Sequence, residues 1–408
     1  MGKLSRFALS TSIAVFIAGC GASQPLIGPG QRVLQSATTH SRNEVLAIQH
    51  VIVIVQENRS FDNLFAGFPN ADAPTTGLES TGQRVRLRQI SLKQEACARP
   101  DFQVAYDSGK MDGWNLINPN DPLCSYTRVH RSEAQPYWDL ATHFAVADHM
   151  FESTHWGDFT NQLYLIAGTT RLAPRTFDVR YPSNVPWTCD APPGTTTSLL
   201  KGSKIQPQKG PFPCFTQFPT MANLLDAAHV TWKCYFGNNK GAGISCPFSA
   251  TKYVFERGDS TLDLSEPASN ILADLKNKDL ANVSWVFSPP EDSDLPGYSG
   301  GPKWVSSIIA ATEKSAYWAH SAIIVVWGDA ADGLFYDDVP PPQISEMGLG
   351  FRVPLLAVSP YAKRGYVSHT NYQFGSILKF IEQNWELGGL GATDKRSHSI
   401  ADMFQFKE

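Results

Sequence analysis

Residues His50–Phe65 read HVIVIVQENRSFDNLF. The first part, Val51-Ile52-Val53-Ile54-Val55, is an unbroken run of β-branched residues with no polar alternation. Such a run fits a strand buried on both faces, as in the parallel sheet of an α/β domain. Glu57 and Asn58 follow, then Arg59, Ser60 and Asp62. Polar groups at the carboxyl end of a central strand lie where open α/β sheets place their ligands. Taken alone, Glu57 reads equally well as an exposed loop acid and Asn58 as a helix cap.

Further out, Val283–Ser288, Ser321–Trp327 and Val353–Ser359 share the same continuous apolar character. Helical patterns separate them: a stretch capped at Ser132-Glu133 and reaching Ala147, then Trp304–Thr312 and Phe374–Trp385. This alternation predicts an α/β fold with a largely parallel central sheet flanked by helices, in a single domain over residues 46–408. Residues 171–265 carry four cysteines, many prolines and few periodic segments, and read as a disulfide-pinned insertion on the substrate side.

The amino-terminal residues form an export signal. Lys3 and Arg6 precede the largely apolar run Phe7–Ala18, too short for a permanent membrane helix. Ile17-Ala18-Gly19-Cys20 resembles a bacterial lipobox, which makes Cys20 a lipidation site and the chain a cell-envelope lipoprotein. The alternative is an ordinary signal peptide over residues 1–19 and a secreted protein. Residues 20–45 read as a flexible tether. Without residues 1–19 the chain has 32 Lys and Arg against 38 Asp and Glu, a net charge of −6. No basic run stands out, so charge gives no support to a nucleic-acid partner.

Cysteine usage fits export. Besides Cys20 there are six: Cys97, Cys124, Cys189, Cys214, Cys234 and Cys246. Six allow fifteen connectivities, of which neighbour pairing (97–124, 189–214, 234–246) closes the shortest loops. No Cys-x-x-Cys pair occurs, which argues against a zinc–thiolate site.

The segment around Glu57-Asn58 resembles the signature of a bacterial and plant phosphoesterase family. That family contains non-specific phospholipases C and some acid phosphatases. The likeness runs from about His50 to Phe406 and includes Gly109-Lys110-Met111-Asp112-Gly113-Trp114. It implies an alkaline-phosphatase-like fold and a catalytic cation held by Glu57 and Asn58. In the family a nucleophilic Ser or Thr precedes a helix; the matching position here, three before Asn161, is Asp158, with Thr160 the nearest hydroxyl. The two acids that follow a later strand in the family match Gly328 and Asp329. A family His matches Asp338 in Tyr336-Asp337-Asp338-Val339-Pro340-Pro341-Pro342, and another matches Leu295. His369 is matched in related sequences.

The resemblance therefore implies a cation site of Glu57, Asn58, Asp158 and Asp329. Hard oxygen ligands suit calcium or magnesium better than zinc. Asp158, Asp338 and His369 are the catalytic candidates. Gly297-Tyr298-Ser299-Gly300-Gly301 matches a hydrolase elbow in letters only, because no strand ends at Ser299. The expected function is metal-dependent hydrolysis of a phosphate ester or phospholipid head group at the cell envelope. The alternative is a catalytically impaired relative that binds a cation or a phosphate-bearing ligand.

Overall fold

Eight strands form one central sheet. In chain order they are β1 (His50–Glu57), β2 (Ala145–Ala147), β3 (Trp232–Tyr235), β4 (Leu264–Ser265), β5 (Val283–Phe287), β6 (Ser321–Gly328), β7 (Leu355–Val358) and β8 (Tyr366–Ser368). Their order across the sheet is β4-β3-β5-β1-β6-β7-β2-β8. The computed structural model describes residues 47–95, 97, 101–173, 177–202, 204–237, 246–257, 263–328, 335–344 and 347–406. These all fall within one compact unit, Arg42–Glu408. Cys20, the export signal, the tether and Asp329 lie outside the described residues.

β1 sits at the middle because its apolar run can be covered on both faces. Val51–Val55 are at most 1 % exposed, and β1 pairs in parallel with β5 on one side and β6 on the other. Helices α1 (Phe61–Phe65), α2 (Arg131–His143), α3 (Asp158–Ala167), α4 (Met221–Ala227), α5 (Gly301–Glu313) and α6 (Phe374–Asn384) supply much of the rest of the core. The fold is the predicted α/β arrangement, and five of the seven strand pairings are parallel.

The structure refines three sequence expectations. β7 runs antiparallel to both β6 and β2. β6 ends at Gly328 and β7 begins at Leu355, and their antiparallel pairing means that the chain re-enters the sheet from the end it left. The helix expected to reach Ala147 stops at His143, and Ala145–Ala147 becomes a strand zipped between β7 and β8. The supposed insertion is smaller than 171–265, because β3 and β4 belong to the central sheet. Its own structure is a three-stranded sheet of Asp178–Pro182, Thr197–Lys201 and Lys204–Gln206.

All three neighbour disulfides form, with Cα–Cα separations of 5.3 Å for Cys97–Cys124, 4.5 Å for Cys189–Cys214 and 6.5 Å for Cys234–Cys246. Among the described residues no helix is long and apolar enough to cross a membrane.

Candidate metal centre

Glu57 closes β1 directly opposite Gly328, the last residue of β6. Asn58 then turns the chain with φ +62, and its N–H donates to the Gly328 carbonyl at 2.8 Å. The helix-cap role belongs to Ser60, whose hydroxyl accepts from Asn63 N–H at the start of α1. The Asn58 amide is therefore spare. It is 7 % exposed, and its Oδ1 has no hydrogen-bond partner. Among the described residues, a Cβ built on Gly328, the place of the family's first acid, meets nothing within 4 Å.

Asp158 is held from the other side, at the first turn of α3. Asn161 pins the preceding loop: its Oδ1 accepts from Thr154 N–H at 3.2 Å and its Nδ2 donates to Thr154 O at 2.9 Å. Gly157 has φ +94, and a Cβ there would run into the Tyr181 hydroxyl, which accepts the Asp158 N–H at 2.8 Å. One turn along α3, Gln162 Nε2 donates to Asp158 Oδ1 at 2.6 Å and reaches Glu57 Oε1 at 3.5 Å. Those two lengths sum to 6.1 Å, so the carboxylate oxygens are no farther apart than that. At about 6 Å, two unit charges repel by roughly 3 kcal/mol in the effective dielectric of a protein margin. A neutral amide cannot cancel that repulsion.

The donor set fits a divalent cation. Two carboxylates converge, and two buried amide oxygens nearby in the chain, Asn58 Oδ1 and Gln162 Oε1, lack a donor. A buried oxygen left unpaired costs roughly 1–3 kcal/mol, which an ion would recover. All are hard oxygen donors, suited to calcium or magnesium.

The remaining candidates lie elsewhere at this end of the sheet. Asp338 belongs to a second acidic cluster, in which oxygens of Asp62, Asp337 and Asp338 lie within 4.8 Å of one another. Arg352, fully buried, pairs with Asp337 at 2.8 Å, Asp338 at 2.8 Å and Asp62 at 3.2 Å. Burial pushes the Asp337 carboxyl up to about 6 despite Arg352, and raises Asp62 and Asp338 as well. His369 donates from Nδ1 to the buried Asp148 carboxylate at 2.9 Å, with its own side chain 59 % exposed. It follows β8, four strands from β1, which is roughly 19 Å at ordinary strand spacing. The structure thus brings Glu57 and Asp158 together and leaves His369 at the far edge.

Thr160 is no substitute hydroxyl, being fully buried and donating to Val179 O at 3.2 Å. Ser299 lies in the loop before α5, with no strand ending at it. Sequence reading missed Gln162 and Arg352. For Gln162 a signal existed, since it stands four residues after Asp158 on one helix face.

The family model for the phosphoesterase family matches residues 48–388. The chain belongs to this family. The chain is 26 % identical to the non-hemolytic phospholipase C of Pseudomonas aeruginosa, over 83 % of this chain and 54 % of that protein. It is 24 % identical to phospholipase C A of Mycobacterium tuberculosis, over 87 % and 76 %. It is 23 % identical to non-specific phospholipase C4 of Arabidopsis thaliana, over 91 % and 72 %. The chain spans about half the length of the Pseudomonas relative. A solved structure from the alkaline phosphatase superfamily of Vibrio parahaemolyticus covers 88 % of this chain and 73 % of its own, at 12 % identity and a TM-score of 0.38.

Proposed function

We propose that this phosphoesterase hydrolyses phosphate esters of the phospholipid head-group type with a divalent cation held by Glu57, Asn58 and Asp158, and by Asp329 from beyond the described residues. The observation that carries the reading is the convergence of Glu57 and Asp158 on the Gln162 amide. Calcium or magnesium bound there supplies positive charge to the phosphate oxygens. Asp158 occupies the nucleophile position at the start of α3, where the first-turn N–H groups favour negative charge. Its carboxylate would attack phosphorus as the P–O bond to the leaving alcohol breaks, that alcohol taking a proton from water, and a second water would hydrolyse the aspartyl phosphate to release phosphate and regenerate Asp158. Asp338 lies outside this site, paired with Arg352 in the second acidic cluster. The His369–Asp148 pair lies too far across the sheet to share that site. Three disulfides support export, where thiols oxidise. The Cys20 lipobox supports anchoring at the cell envelope.

One observation favours a second reading, in which the protein binds a cation or phosphate-bearing ligand without turnover: a carboxylate stands at the nucleophile position while Thr160 is locked inside. The two part on hydrolysis of p-nitrophenyl phosphorylcholine and p-nitrophenyl phosphate, with and without calcium or magnesium. Cation-dependent turnover that falls in Asp158→Ser supports the hydrolase. No turnover in the parent, with activity gained in Asp158→Ser or absent from both, supports the binding protein.

A further inference from the structure

Gln162 is built into the candidate metal centre in an unusual way. Its side chain is 4 % exposed. The amide nitrogen faces two carboxylates, while the amide oxygen on the same carbon is buried and has no donor. Facing the carboxylates, the nitrogen avoids the oxygen–oxygen repulsion that the amide oxygen would meet there. A cation between the carboxylates reverses that preference. A half-turn about the last side-chain bond exchanges nitrogen and oxygen with no movement of α3. The oxygen then faces the ion, and the amide acts as a hard ligand of the kind calcium takes from Asn and Gln.

We propose that Gln162 is a ligand of the divalent cation shared by Glu57 and Asp158, and that cation binding is coupled to rotation of its terminal amide. The proposal rests on the cation reading given above and adds a residue to it. It also gives α3 two ligands one turn apart, Asp158 and Gln162, on one face. A competing role is possible on the same contacts. If Gln162 only bridges the two acids, its nitrogen competes with the cation, and removing it frees the site.

Calcium titration by calorimetry on the full chain separates these roles, using the parent, Gln162→Met, Gln162→Glu and, as control, Glu57→Gln. Thermal midpoints with and without calcium provide a second readout that needs no turnover. A ligand role predicts that Gln162→Met weakens calcium binding at least tenfold and that Gln162→Glu tightens it. Gln162→Glu should also lower the midpoint without calcium and show a larger calcium-induced rise than the parent. Equal or tighter binding by Gln162→Met overturns the proposal while leaving the cation reading intact, provided Glu57→Gln loses binding. If Gln162→Met does not fold, Gln162→Glu decides alone, and unchanged affinity there overturns the proposal. A parent that binds no calcium or magnesium removes the cation reading and this proposal together.

Discussion

Two groups of carboxylates sit at the same end of the sheet and are neutralised in opposite ways. Asp62, Asp337 and Asp338 enclose a guanidinium that the chain itself supplies, Arg352. Between Glu57 and Asp158 stands a neutral amide, Gln162. The first group is self-contained: Arg352 also donates to the carbonyls of Asp72 and Asp148, so five residues from four chain segments meet on it. The second has two buried amide oxygens without a hydrogen-bond donor, Asn58 Oδ1 and Gln162 Oε1. Acidic clustering alone therefore does not mark a metal site. What sets the first group apart is the guanidinium built into it.

Removing that cation is the most damaging way to break the comparison. Arg352→Met leaves the buried carboxylates of Asp62 and Asp337 and the partly buried one of Asp338 without their cation, a change that costs roughly 3–5 kcal/mol at neutral pH. The expected result is a large fall in thermal midpoint at pH 7, partly recovered near pH 4 as the carboxyls protonate. A midpoint equal to the parent at pH 7 would mean that Arg352 does not hold the cluster together.

A smaller effect sharpens the comparison through pH. Asp337 has its carboxyl raised to about 6 from an ordinary value near 4, mainly by burial. A raised carboxyl binds its proton more tightly in the folded chain. Its contribution to stability is therefore complete below about pH 4 and is lost as pH rises through about 6. Asp337→Asn keeps an oxygen for Arg352 Nε but cannot ionise. Relative to the parent, the variant should gain roughly 1–3 kcal/mol in stability between pH 4 and pH 7. Denaturant unfolding at both pH values measures this, and a constant gap between the two proteins would remove Asp337 as the titrating group.

The sequence disclosed the fold more fully than the site. Val51–Val55 announced a doubly covered strand because a continuous β-branched run has few other solutions. The direction of β7 was hidden, since strand composition is the same whichever way the chain runs. Ala145–Ala147 was hidden for a different reason: three residues following a helix carry little periodicity, and pairing with β7 and β8 decides their state. At the site, Glu57 and Asp158 were legible through family resemblance, whereas Gln162 was visible only as a spacing. Arg352 was not legible at all, because its acidic partners arrive from positions 62, 337 and 338 only once the sheet has formed.

Manganese is an oxygen-seeking divalent ion that scatters anomalously and can stand in for magnesium or calcium. Crystals soaked in it test the central claim directly. The account predicts one anomalous peak within about 2–3 Å of carboxylate oxygens from Glu57 and Asp158, and none among Asp62, Asp337 and Asp338. A peak beside Arg352, or no peak near Glu57 at saturating manganese, would contradict it.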